Sequence, residues 1–201
     1  MYELSDKMVA YLNRQFIRMF GKLKSVVNFD ELNIIKAVEE VYSEAEKLVE
    51  KSFVELAQAV YRANIKKGIK SDLEMLWVLG FLDEYNPVTK YVYLHEVDRK
   101  AARAAESIIA SDTKTKEVDK ALKYWANMVT QYADDITFQA ILQAYKDDGI
   151  KRVMWMVELD NRTCGTCEER EGIIYDIDKI PPKPHIGCRC WVVPWKGETI
   201  D

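Results

Sequence analysis

The sequence predicts a mainly α fold: an elongated helical bundle over residues 1–150, followed by a small α+β module over residues 151–201. Three observations carry this prediction. Apolar residues recur at steps of three and four through most of the first 150 positions, the period of an amphipathic helix. From Val153 to Leu159 the repeat switches to two, the period of a strand. All four cysteines, Cys164, Cys167, Cys188 and Cys190, then gather in the last quarter of the chain beside His185, one of only two histidines.

Residues 2 to about 25 form the first predicted helix, with Leu4, Met8, Leu12, Phe16, Phe20 and Leu23 on one stripe. A second is expected from Asn28, where Glu31 three residues on completes a capping box. Its stripe of Ile34, Val38, Val41, Ala45 and Leu48 continues through Phe53, Leu56 and Val60 to a C-terminal cap at Gly68, with a break allowed near Ser52. Ser71 and Glu74 open a short helix, LEMLWVLGFLDEY, apolar on most sides and so placed inside the bundle; Asn86-Pro87 ends it. The next helix is expected over 89–109, with Leu94, Val97, Ala101, Ala104 and Ile108 inward. The last, over 113–147, carries Val118, Leu122, Trp125, Val129, Tyr132 and Ile136, spacing that fits a bundle core better than a dimeric coiled coil. Gly149 caps it. Three short strands follow near 152–159, 173–176 and 190–194, with a helical turn at the EEREG segment.

The cysteine spacing is C-x2-C, a gap, then H-x2-C-x-C. Two ligand knuckles joined by a span that folds back are the grammar of a structural zinc site. Gly165 lets the first knuckle bend, Gly172 turns the chain, Ile173 to Tyr175 run back as a strand, and Pro181, Pro182 and Pro184 stiffen the return. Five donors stand for four places. Cys164, Cys167 and Cys188 fill three; the fourth is His185 or Cys190. His185 is favoured because H-x2-C repeats the knuckle spacing, which leaves Cys190 as a buried neighbour. Disulfides in any of three connectivities, four unrelated thiols, and a catalytic zinc with three ligands and a water are the competing readings. Three thiolates on one Zn²⁺ leave a negative site, and Arg162 and Arg189 beside the knuckles either offset it or are plain surface charges. A unit of about 50 residues buries too little to stand by packing alone, whereas bound metal contributes on the order of 10 kcal/mol of folding free energy.

These residues carry a resemblance. Asp160, Arg162, Thr163, Cys164, Cys167, Gly172, Pro181, Pro182, His185, Cys188, Arg189, Cys190 and Pro194 follow a pattern similar to that of the phage Mu F-like head morphogenesis family. The family's Pro-Pro-x-His is one residue longer here, Pro-Pro-Lys-Pro-His. The resemblance implies a zinc-stapled C-terminal module in a minor head protein present in few copies per particle. It implies association with the portal protein or major capsid protein, a place in the phage head interior or at the portal vertex, and a part in head assembly, genome packaging or ejection. Some relatives touch DNA. Others carry a toxin or enzyme domain after the motif, for which this chain, ending at Asp201, leaves no room.

The remaining chemistry is sparse. A net charge of −4 argues against an extended nucleic-acid surface, leaving at most weak DNA contact. There is no run of 18 apolar residues for a membrane span, and the N-terminus lacks the blocks of a signal peptide, so the cytoplasm is the expected site of synthesis and assembly. No dinucleotide, P-loop or nucleophile-elbow pattern is present. Asp83/Glu84 and Asp134/Asp135 are neighbours whose side chains diverge on a helix, and are expected on solvated faces. His95 is expected to be an ordinary surface or core-edge residue. A non-enzymatic assembly protein is the first reading. A zinc-dependent hydrolase or nuclease, or a toxin-type effector, is the second, and would need an open position on the metal. Trp191, Trp195 and the strand around Trp155 are candidate contact surfaces, with core packing as the alternative for each.

Overall fold

The apolar stripes place three long helices against one another: α1 (Glu3–Val26), α2 (Glu31–Asn64) and α5 (Lys114–Asp147). The computed structural model describes residues 3–66, 75, 77–83, 96–161, 163–185 and 188–197. α3 (Trp77–Asp83) packs on α2, and α4 (Val97–Ala110) on α2 and α5. At 34 residues each, α2 and α5 are about 50 Å long, which makes this bundle an arm. Trp125, 1 % exposed, sits at its centre with ring centroids of Phe16, Tyr42 and Tyr124 at 5.6, 5.5 and 6.4 Å. A second aromatic group, Phe53, Phe81 and Tyr132, ties α3 to α2 and α5. Burying each such side chain contributes about 1.5–3 kcal/mol.

Several boundaries differ from expectation. α2 is capped by Asp30, not Asn28: the Asp30 carboxylate accepts from the Asn33 amide at 3.1 Å, the stronger cap because it is charged at a positive helix end. The helix is unbroken through Ser52 and stops at Asn64, its last turn closed by Lys66 N donating to Asp148 Oδ2 at 2.9 Å and by Tyr61 OH donating to Asp147 at 2.7 Å. In α4 the inward alanine is Ala105 rather than Ala104, which is only half-buried. Tyr2, the caps at Gly68, Ser71 and Glu74, the Asn86-Pro87 stop, the residues from Thr89 through Leu94 and His95, and Arg162 lie outside the described residues. So do Glu84 and the side chain of Asp83. No helix among the described residues is long and apolar enough to cross a membrane.

Gly149 (φ 80°) ends α5 in the left-handed conformation that favours glycine, with Ile150 N donating back to Tyr145 O at 2.9 Å. Three residues on, β1 (Arg152–Met156) becomes the middle strand of an antiparallel sheet of order β2-β1-β3, with β2 Ile174–Asp176 and β3 Trp191–Pro194. β1 is shorter than the alternation suggested, because beyond Met156 the chain turns into the first cysteine knuckle and has no strand to pair with. Val153, Trp155 and Val192 are fully buried, and the Phe138 ring of α5 lies 5.7 Å from Trp155. Trp155 is therefore core. Met154, Ile174 and Val193 form a row on the opposite face, with Met156 and Trp191 in the next, and all are at least partly exposed.

Candidate metal centre

The first knuckle is built by a turn and a single helical turn. Thr163 N donates to Asp160 O, and Asp160 N donates to Thr163 Oγ1, both at 3.0 Å; the Thr163 hydroxyl itself donates to the Glu158 carbonyl. This closed loop delivers Cys164 as the N-cap of α6 (Gly165–Glu168), and Cys167 N donates to Cys164 O at 2.9 Å. Residues three apart on a helical turn lie on one side, so both sulfurs face the same space. Gly165 has no special role: it is helical, and a Cβ there would meet nothing within 4 Å. The helical turn expected at EEREG begins instead at Gly165, inside the knuckle.

Gly172 (φ 73°) then reverses the chain, its N–H donating to Trp155 O at 2.9 Å while Trp155 N donates to Ile173 O at 2.9 Å. Arg170 lays its guanidinium 5.0 Å from the Trp155 ring centre and donates to Pro182 O at 2.9 Å, drawing the proline run back over the sheet. That return brings His185, Cys188 and Cys190 to the first knuckle.

Cys167 is the hub. Its Sγ lies 3.4 Å from His185 Nε2 and 3.8 Å from Cys188 Sγ. The donor atoms of Cys164, Cys167 and His185 lie within 4.8 Å of one another, as do those of Cys167, Cys188 and Cys190. A tetrahedral ion with sulfur at about 2.3 Å and nitrogen at about 2.0–2.1 Å has donor–donor edges of about 3.8 and 3.6 Å, so both measured separations fit. All four cysteines are free, and 3.8 Å is far beyond a bonded S–S distance of about 2.05 Å. A cavity of about 20 Å³ opens among Cys164, Cys167, His185 and Cys190, room for one small ion or water. These two groups of donors can hold a metal ion. Both His185 and Cys190 reach Cys167.

The thiols show what a cation would do here. The backbone N–H of Cys167 holds Cys164 below the ordinary thiol range, whereas burial pushes Cys167 up to about 11. Cys188 is driven well above the usual range, first by its contact with Cys190 and then by burial, while the same contact lowers Cys190. Crowded thiolates repel, so burial and neighbouring sulfur favour the protonated form of Cys167 and Cys188; a dication removes that penalty.

Arg189 lines the donor cavity and feels the Cys190 charge, but its first partner is Asp160. It donates to Asp160 Oδ1 at 2.6 Å, joining the loop before the first knuckle to the second knuckle. The cation that sequence reasoning missed is Lys183. It is 6 % exposed, donates to Cys188 O at 3.0 Å and lies 5.6 Å from the Phe138 ring centre. Nothing in its local sequence separates it from the many exposed lysines. Asp134 and Asp135 are half-buried rather than solvated, a correction with the same cause: the module covers this part of α5 and brings the Lys183 charge toward them. Burial raises both carboxyls, Asp135 to about 6, and Lys183 pulls each the other way.

No family model, curated protein or solved structure matches this chain. Its chemistry is thus read from its own donors, and these are two overlapping triads on one shared thiol.

Proposed function

We propose that the chain is a minor head protein of the phage head morphogenesis type, which docks through a zinc-stapled C-terminal module carried on a helical arm. The observation that supports this most is the meeting of both half-motifs at Cys167. The motif residues that resemble the family pattern also have physical work to do: Asp160 and Arg189 tie the knuckles, Thr163 closes the entering loop and Gly172 makes the return turn. Cys164, Cys167, His185 and Cys188 would hold Zn²⁺, with Cys190 buried beside them. Bound zinc supplies the positive charge that keeps these thiols ionised and the module folded. A surplus of donors argues for a structural ion over a catalytic one, which keeps an open position.

In this reading the partner is the portal or major capsid protein, met by the half-buried outer face of the sheet, where Trp191 and Met156 share a row. The protein acts in few copies at the portal vertex or head interior. DNA contact is at most secondary, given the net charge of −4.

The test is metal content by mass spectrometry across the five donors, joined to co-purification with the portal protein of the same phage. One zinc per chain is expected, lost in Cys164→Ala, Cys167→Ala, His185→Ala and Cys188→Ala and kept in Cys190→Ala. Trp191→Ala should keep its zinc and lose the portal. Zinc lost in Cys190→Ala but kept in His185→Ala would make the ligand set four cysteines. A chain that purifies folded without zinc, or a portal that ignores Trp191→Ala, would remove the reading.

A further inference from the structure

One face of the arm, built from α1 and α2, takes no part in the metal centre. At one end it holds a groove of about 410 Å³, walled by the half-buried Leu4, Met8 and Leu48 and by Tyr11, which is 40 % exposed. Two edges border this face. Lys7 and Tyr11 line the groove from α1, and Arg18 and Lys22 continue that edge at steps of seven and four residues. Lys51 and Glu55 line it from α2, and Glu44 and Glu40 continue that edge at the same steps. The continuations differ in sign. α1 has no carboxylate after Asp6, and α2 has no lysine or arginine from Val38 to Glu46. Arg18, Lys22, Glu40 and Glu44 are exposed, and no ion pair holds any of them among the described residues.

Height along the arm decides what this face fits. The rings of Phe20 and Tyr42 meet at 6.1 Å across the hairpin. Both helices rise about 1.5 Å per residue in opposite directions, so a residue after Phe20 lies level with one equally far before Tyr42. Lys22 is therefore level with Glu40, and Arg18 with Glu44. The lysines flanking that acidic stretch, Lys36 and Lys47, are level with the uncharged Val26 and Gln15. A two-fold axis along the seam between the helices lays α1 of one copy over α2 of another at every height. Arg18 and Lys22 then each meet a carboxylate of the second copy, twice over by symmetry, and the two grooves close on each other as an apolar strip inside a charged rim. A face as long as the 24 residues of α1 and two helices wide covers about 700 Å², near the roughly 800 Å² per partner of a specific complex. We propose that the arm pairs with a second copy of this chain through this face, the two arms parallel and in register.

Sedimentation velocity on the full zinc-loaded chain at micromolar concentration tests this. A dimer is expected, and added salt should weaken it. Two charge-reversed chains decide the contact: one carries Arg18→Glu with Lys22→Glu, the other Glu40→Lys with Glu44→Lys. Each should keep its helical circular dichroism, because all four positions are exposed, and each should dimerise about 100-fold or more weakly, because like charges then face each other. Mixed, the two reversed chains should form a heterodimer about as tight as the unaltered pair, since an acidic α1 then meets a basic α2 on one side and the native charges meet on the other. An attraction confined to a single hairpin leaves that mixture monomeric. An unaltered chain that stays monomeric, reversed chains that each dimerise unaided, or a mixture that does not pair would each overturn the proposal. The readout lies on α1 and α2 and is independent of whether the module meets a portal.

Discussion

Along α5 a single stripe buries Val118, Trp125, Val129, Tyr132 and Ile136, whereas everything beyond Gly149 buries Val153, Trp155, Val157, Ile177, Val192 and three of its four cysteines. The arm is ordered by repeated burial of large apolar side chains, each replaceable in kind. The module has a few apolar residues around one Trp, and the rest of its described interior is cysteine donors and the buried Lys183. Repetition spreads the stability of the arm over many contacts; convergence places that of the module on one thiol.

The largest expected break in that contrast is Cys167→Ala, which removes the atom shared by both donor groups. Loss of metal should remove on the order of 10 kcal/mol of coupled folding free energy from the module. Amide exchange in β1 and β3 should become fast while the far-ultraviolet helical signal stays. Protected β1 amides in the variant would show that packing alone orders the module. Trp125→Ala is the converse experiment. It should cost about 3–5 kcal/mol and lower the helical melting transition, with zinc stoichiometry unchanged in the cold. Zinc lost along with the arm's stability would show that the two regions fold as one.

The smallest effect sharpens the boundary between them. Asp135 has a folded pKa near 6, raised above the unfolded value of about 3.9 by burial. A raised carboxyl pKa means the folded state holds its proton more tightly. The stability contributed by this group is full below about pH 4 and is lost as pH rises through about 6. Asp135→Asn, neutral throughout, should therefore stabilise the chain at pH 7.5 by about 1–3 kcal/mol, with the gain shrinking as pH falls to 5 in denaturant titrations. A variant destabilised at pH 7.5 would show that the attraction to Lys183 outweighs burial.

Most of the arm was legible because apolar period is a local property: most residues that the three-and-four spacing picks out on α1, α2 and α5 are buried, while Leu4, Met8, Leu48 and Leu122 are only partly so. The five donors were legible for the same reason, since the C-x2-C and H-x2-C spacings are short. Competition between neighbours was not legible. Asp30 outcompetes Asn28 as a cap, and α6 starts within the first knuckle rather than after it. Long-range burial was invisible as well. Asp134 and Asp135 read as solvated, and Lys183 drew no reading at all, until the module folds down onto α5. The Arg189–Asp160 pair joins residues 29 apart, which no window of sequence displays.

The four residues from Asp148 to Lys151 splice α5 directly to β1, and β1 is the middle strand. A pull along the arm therefore enters the sheet at its centre and is opposed on both flanks at once, in shear, by the ladders to β2 and β3. The bound ion would close the loops at the far end of those ladders. Such an attachment gives way late and abruptly rather than peeling strand by strand, a mechanical property suited to a tether under load.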